Sequence, residues 1–161
     1  MATIYGTPGD DQITPSTNPG TTSGNDEAFG GDGNDVIVGG AGMDTLHGEG
    51  GNDILVGSDD TDVDTLLGGD GDDTLYAGTN DVIDGGTGFD RAIYTGTTGA
   101  TLDLGQARVE QVDGSEGNDI FFTTGTGGIS ANGYGGNDQL TGGIGNDILD
   151  GGAGNDVLAG G

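Results

Sequence analysis

Large apolar residues recur along this chain every nine residues, and a polar, glycine-rich stretch precedes each of them. The repeating unit is Gly-Gly-x-Gly-x-Asp-x-U-x, in which U is a large apolar residue. Intact copies occupy residues 30–38, 39–47, 68–76, 142–150 and 151–159. Near copies at 48–56, 85–93 and 133–141 each depart from the unit at one position. A short unit repeated in tandem is typical of a solenoid, in which each copy stacks on its neighbours.

Each unit predicts a polar loop of six residues followed by a strand of three. The glycines permit the positive φ angles that a tight turn requires. The x-U-x strand is too short to be stable alone, so we expect it to pair with an equivalent strand and to point U inward. Successive copies would run down opposite sides, which places 18 residues in one turn. Copies two apart then stack at the strand spacing of ~4.8 Å.

The spacing of the repeat aspartates divides the chain into a first block at about 6–93 and a second at about 114–161. Residues 94–113 lack the repeat, and we interpret them as degenerate coils or a strand-rich divider. We expect residues 1–161 to form a single domain. The repeat continues to the last residue without the cap that a solenoid needs. The sequence therefore suggests a fragment of a longer protein, or an open end through which copies stack or self-associate.

Composition alone predicts a disordered chain. Leu, Ile, Val and Phe make up about a fifth of the residues, glycine contributes 40, and the net charge is −26. So little apolar surface cannot offset the entropy of the chain unless a cation neutralises it. The negative field disfavours nucleic acid as a partner. No apolar run approaches the ~20 residues of a membrane span, and no cysteine is present to supply disulfides.

Stacking of copies two apart places repeat aspartates above one another. The nine pairs are Asp11/Asp35, Asp26/Asp44, Asp35/Asp53, Asp44/Asp64, Asp53/Asp73, Asp64/Asp81, Asp73/Asp90, Asp119/Asp138 and Asp138/Asp156. Such close carboxylates repel unless a cation lies between them, although turn capping without metal is an alternative role. Carboxylate and carbonyl oxygens favour Ca²⁺ over Mg²⁺ or Zn²⁺. Nine Ca²⁺ ions would reduce the net charge from −26 to −8.

The tandem copies resemble the haemolysin-type, or repeats-in-toxin (RTX), calcium-binding modules of secreted bacterial proteins. The resemblance implies a right-handed parallel β-roll that folds outside the cell after type I secretion. It also implies ligands from loop positions 2, 4 and 6 of one copy and 1, 3 and 6 of the copy two along. The predicted metal ligands are Asp11, Asp26, Gly31, Gly33, Asp35, Gly40, Gly42, Asp44, Gly51, Asp53, Asp64, Gly69, Gly71, Asp73, Asp81, Gly86, Gly88, Asp90, Gly117, Asp119, Gly136, Asp138, Gly143, Gly145, Asp147, Gly152, Gly154 and Asp156.

Three functions remain open from the sequence. The first is a non-catalytic, calcium-dependent folding module of a secreted, extracellular bacterial protein. The second is an adhesive or surface-layer segment, favoured by the apolar outer positions Val36, Val38, Ile54 and Val56. The third is an accessory module of an enzyme encoded outside this chain. The chain itself contains no His-Glu-x-x-His, no Gly-x-Ser-x-Gly and no Cys/His pair, so we do not expect it to be an enzyme.

Overall fold

The chain folds into a solenoid of parallel strands. The computed structural model describes residues 2–14, 22–58 and 61–161, and within these ranges strands alternate between two faces of the solenoid. In chain order the elements are β1 (Thr3–Tyr5), β2 (Gln12–Ile13), β3 (Glu27–Asp32), β4 (Val36–Val38), β5 (Thr45–Gly50), β6 (Ile54–Val56), β7 (Thr65–Asp70), β8 (Thr74–Ala77), β9 (Val82–Thr87), β10 (Arg91–Tyr94), β11 (Thr101–Asp103), α1 (Leu104–Ala107), β12 (Gln111–Asp113), β13 (Ile120–Phe122), β14 (Ser130–Asn132), β15 (Gln139–Thr141), β16 (Ile148–Asp150) and β17 (Val157–Ala159).

The strands form three parallel sheets. One face carries the five-stranded sheet β1-β3-β5-β7-β9 and the four-stranded sheet β11-β13-β15-β17. The opposite face carries one eight-stranded sheet that runs without a break from β2 to β16 through the even-numbered strands. Ala28 pairs with Leu46 and Ile37 with Leu55, so copies two apart lie side by side. The prediction of an all-β parallel roll with 18 residues per turn is confirmed.

The interior is a narrow row of apolar side chains, in which each strand contributes the residue at its U position. Leu46 and Leu66 of one face and Ile37, Leu55 and Leu75 of the other are fully buried, all at the U position of the repeat. Burying a side chain of this size stabilises a fold by about 1.5–3 kcal/mol. The alternating burial along each strand follows from the period of two residues in extended backbone. The U position therefore supplies a thin core along the roll.

Residues 94–113 continue the solenoid as one irregular turn. Strand β12 pairs with both β10 and β14, so the eight-stranded sheet passes through this region. On the other face, β9 and β11 belong to different sheets, and α1 contacts both of them. Asp103 caps the start of this helix by accepting hydrogen bonds from the backbone N–H groups of Gly105 and Gln106, and Arg108 ends it in the left-handed conformation. Within the described residues, no helix has the length and apolar character needed to cross a membrane.

Candidate metal centre

The repeat aspartates form two columns along the solenoid, one at each edge where the chain crosses between its faces. The first loop column precedes the even-numbered strands and contains Asp11, Asp35, Asp53, Asp73, Asp90 and Asp147. The second loop column precedes the odd-numbered strands and contains Asp26, Asp44, Asp64, Asp81, Asp119, Asp138 and Asp156. Most of these side chains are buried, and those beside an irregular turn or at either end are half-buried.

The structure brings together all nine aspartate pairs derived from the repeat spacing. In each pair the backbone N–H of one aspartate donates to Oδ1 of the aspartate in the next tier. In the first loop column, the N–H of Asp35 donates to Asp53 and that of Asp53 donates to Asp73, each at 2.8 Å. In the second, the N–H of Asp119 donates to Asp138 at 2.8 Å and that of Asp138 to Asp156 at 3.0 Å. The remaining five pairs have the same contact at 2.7–2.9 Å.

The second carboxylate oxygen, Oδ2, behaves differently from Oδ1. In Asp35, Asp53, Asp73, Asp90 and Asp138 this atom is buried and accepts no hydrogen bond from any residue that the structure describes. A buried charged oxygen without a partner loses its hydration without compensation, which is costly. A row of such atoms in successive loops indicates that a cationic ligand completes the loops.

Backbone carbonyl oxygens converge on the same positions as the Oδ2 atoms. At the first glycine of the loops that contain Asp35, Asp53, Asp73, Asp90 and Asp138, the point where a Cβ would stand lies within 3.0 Å of two oxygens. One is Oδ2 of the aspartate in the same loop, and the other is the carbonyl oxygen of the first residue in the next tier. At Gly48 these are Asp53 Oδ2 and the Gly68 oxygen, and at Gly68 they are Asp73 Oδ2 and the Gly85 oxygen. Glycine at this position therefore leaves open a cradle of carboxylate and carbonyl oxygens.

The predicted glycine ligands at loop positions 2 and 4 have the left-handed backbone that such loops need. Gly31, Gly69 and Gly86 have φ angles of 106°, 116° and 112°. The other predicted glycines also have positive φ, except Gly117. Glu49 has a φ of 75° at the equivalent position of its copy, which is an unfavourable conformation for a residue with a side chain.

Burial resists ionisation of the repeat aspartates. Burial, together with the nearby carboxylates, raises the pKa of Asp73 and of Asp90 to about 6, against the backbone hydrogen bonds that lower it. The pKa values of Asp35, Asp53 and Asp138 are raised for the same first reason. These sites therefore accommodate either a proton or a cation more readily than an unpaired negative charge.

The donor set fits a hard divalent cation. Among the described residues, no three Asp, Glu, His or Cys side chains cluster as metal ligands. Each aspartate pair instead brings two carboxylates together, and a backbone carbonyl lies beside them in loops such as those of Asp53 and Asp73. His47 packs on the outer face against the ring of Phe29. A flexible cage made only of oxygen suits Ca²⁺, whereas Zn²⁺ prefers nitrogen and sulfur.

The aspartate ladder is interrupted in both columns near residues 94–129. Ala100 and Ile129 occupy the aspartate position, and their backbone N–H groups donate to Asp119 and Asp147 at 2.6 and 3.0 Å. Neither residue can supply a carboxylate, so Asp119 and Asp147 have no aspartate partner on this side. Glu110 takes the aspartate position above Asp90 and accepts its N–H at 2.9 Å. The sequence prediction missed Glu110 because the glycine-rich loop is absent before it.

A comparison with protein families gives an independent result. The model of the RTX calcium-binding nonapeptide repeat matches the chain in four copies, at residues 21–55, 29–64, 60–92 and 132–161. Together these matches cover more than half of the chain and lie in both repeat blocks. A search of curated proteins found no significant match.

Proposed function

Because the chain belongs to the family of RTX calcium-binding nonapeptide repeats, we propose that it is a non-catalytic module of a secreted bacterial protein that folds when it binds calcium outside the cell. RTX repeats are structural calcium-binding modules and typify secreted bacterial proteins. The observation that carries the proposal is the row of buried, unpartnered Oδ2 atoms in the described loops, each beside a carbonyl oxygen of the next tier.

The proposed ligands of one site come from loops two copies apart. For the tier pair Asp35/Asp53, these are the Gly31 and Gly33 carbonyls with the carboxylates of the two aspartates, and the first and third residues of the upper loop complete the set. Equivalent sites at all nine pairs would leave a net charge of −8 on a chain that carries −26. A bound Ca²⁺ supplies the positive charge that the stacked carboxylates lack.

Calcium concentration decides whether the chain folds. In the low calcium of a bacterial cytosol, mutual repulsion of the aspartates opposes closure of the loops. Extracellular modules bind Ca²⁺ with dissociation constants of ~10⁻⁴ to 10⁻³ M, so external calcium drives folding by mass action. The repeat blocks and residues 94–113 form one domain under this proposal, which is supported by the unbroken eight-stranded sheet.

A calcium titration followed by far-UV circular dichroism tests this function. We expect the spectrum of a disordered chain in chelator and a β-rich spectrum at roughly 10 mM Ca²⁺, which is about tenfold above the highest expected dissociation constant. The same concentration of Mg²⁺ is the control, and it should leave the spectrum close to that in chelator. Identical β-rich spectra in chelator and in calcium would contradict the proposal.

The outer face of the eight-stranded sheet favours adhesion as a second candidate function. Val36 lies beside Ile54, and Val38, Val56 and Tyr76 follow one another across neighbouring strands. Contiguous apolar residues on an outer sheet face are typical of interaction surfaces. Calcium-dependent self-association, measured by light scattering, would support adhesion, whereas a monomer at all protein concentrations would count against it.

A further inference from the structure

Glu110 continues the first loop column beyond its last aspartate in the first block. The backbone N–H of Asp90 donates to Glu110 Oε2 at 2.9 Å, just as the N–H of Asp73 donates to Asp90 Oδ1 at 2.8 Å. Glu110 lies between the segments that match the repeat family, which end at residue 92 and resume at residue 132. A carboxylate therefore occupies the ladder position at a place where the repeat sequence is absent.

The space between Asp90 and Glu110 has the oxygens that characterise the repeat tiers. Asp90 is fully buried, and its Oδ2 accepts no hydrogen bond from the residues that the structure describes. The point where a Cβ of Gly85 would stand lies within 3.0 Å of both Asp90 Oδ2 and the carbonyl oxygen of Arg108. The Arg108 carbonyl thus takes the place that a glycine carbonyl has in the tiers below.

The backbone conformation and the ion pair of Arg108 explain how an arginine can present its carbonyl oxygen to this site. Arg108 ends α1 in the left-handed conformation, with a φ of 50°. Its guanidinium is occupied by Asp84, whose Oδ1 accepts a hydrogen bond from Arg108 Nε at 2.6 Å. Arg108 and Glu110 also line an open pocket together with Gly86.

We propose that Asp90, Glu110 and the carbonyl oxygen of Arg108 form an additional calcium site, which closes the first loop column against the irregular turn. This inference rests on the proposed calcium-dependent function. The second loop column has no equivalent there, because Ala100 follows Asp81 in the ladder and offers no carboxylate. Glutamate is an accepted Ca²⁺ ligand, and its longer side chain spans a position where the loop is shortened.

Counting bound ions in the complete chain tests the site. Native mass spectrometry resolves the number of Ca²⁺ ions on the unmodified protein, on Glu110→Gln and on Glu27→Gln. Glutamine retains an oxygen that accepts the Asp90 N–H but loses the charge that binds calcium. The Glu27 carboxylate lies on the outer strand face, 3.8 Å from His47 Nε2, so Glu27→Gln is matched in charge and removes no proposed ligand. We expect one ion fewer on Glu110→Gln and an unchanged count on Glu27→Gln.

The other outcomes separate this site from the function on which it rests. Equal counts on all three proteins would overturn the additional site and leave the calcium-dependent module intact. An unmodified protein that binds no calcium would overturn the proposed function itself. If Glu110→Gln does not fold in calcium, a crystal structure of the unmodified protein decides. An anomalous calcium peak bonded to Asp90 and Glu110 supports the site, and peaks confined to the aspartate pairs contradict it.

Discussion

The tiers of the first repeat block and the irregular turn at residues 94–113 belong to the same solenoid but have different interiors. In a repeat tier, each strand contributes one buried aliphatic residue such as Leu55, and the loops beside it contain paired carboxylates. In the irregular turn, Tyr94 points inward and stacks on Phe121, with ring centroids 5.9 Å apart. Ala100 replaces an aspartate there.

This difference shows that a turn of the solenoid can be stabilised in two ways. Where carboxylates face one another, the tier needs a cation, because buried like charges repel. Where Tyr94, Leu104 and Phe121 are buried, the turn gains stability from burial of apolar surface and has fewer paired carboxylates to neutralise. The repeat tiers should therefore depend on calcium in both loop columns, and the irregular turn only at the proposed Glu110 site and through its neighbours.

The largest effect is expected from Asp53→Asn, because Asp53 is shared by the pairs with Asp35 and Asp73. In the calcium-bound protein, loss of one carboxylate ligand of a buried cation should lower the free energy of unfolding by about 3–5 kcal/mol. Calcium titrations followed by circular dichroism should show a higher midpoint, and mass spectrometry should show fewer bound ions. Asp32→Asn, on the exposed part of a loop, is the control and should change neither quantity.

Phe121→Ala tests the apolar packing of the irregular turn, because Phe121 lies in β13 of the second block and stacks on Tyr94. Phe121 is fully buried, and truncation of such a residue costs about 3–4 kcal/mol in unfolding free energy at saturating calcium. The number of ions bound at saturation should stay the same, because Phe121 supplies no ligand. Phe122→Ala, at the neighbouring position that points outward, should cost much less. A loss of ions in Phe121→Ala would remove the distinction between the two kinds of turn.

The pH dependence of the calcium-free chain should follow the raised pKa values of Asp73 and Asp90. Both lie at about 6 in the ion-free fold and near 3.8 when the chain is unfolded. The ion-free fold binds more protons than the unfolded chain between these values, so it loses stability as pH rises through about 6. In chelator, the β-rich signal in circular dichroism should therefore be greater at about pH 5 than at about pH 7.5. A signal in chelator that is the same at both pH values would contradict this prediction.

The smallest effect is expected from Glu49→Gly. Glu49 has a φ of 75° where intact copies of the repeat have glycine. Relief of the left-handed conformation should increase the free energy of unfolding by about 1 kcal/mol. Glu49→Gln removes the same charge but still places a side chain on a left-handed backbone, so it should hardly change the free energy of unfolding. Equal gains in the two variants would assign the effect to charge instead of backbone strain.

The regular part of the fold could be predicted because its period is visible in the sequence. The spacing of residues such as Asp35 and Asp53 determines which loops stack, and the alternation of polar and apolar residues determines which side chains point inward. Helix α1 could not be predicted, because four residues are too few to show helical periodicity. The helix directly follows β11. It is stabilised by the N-cap at Asp103 and by burial of the Leu104 and Ala107 side chains.

A second ladder in the loops was also missed. The N–H of Asn52 donates to the side chain of Asn34 at 2.7 Å, and the N–H of Asp72 donates to that of Asn52 at 3.0 Å. The repeat unit has a variable residue at this loop position, directly before the aspartate. The recurrence of asparagine at the fifth loop position, as in Asn118, Asn137 and Asn155, is the signal that could have identified it.

Anomalous diffraction from crystals grown with calcium tests the central claim most directly. We predict calcium peaks between the tiers of both loop columns, for example between Asp53 and Asp73 and between Asp119 and Asp138. No peak should lie beside Ala100 or Ile129, where the aspartate is replaced. Closed, ordered repeat loops with no ion between their carboxylates would contradict the account.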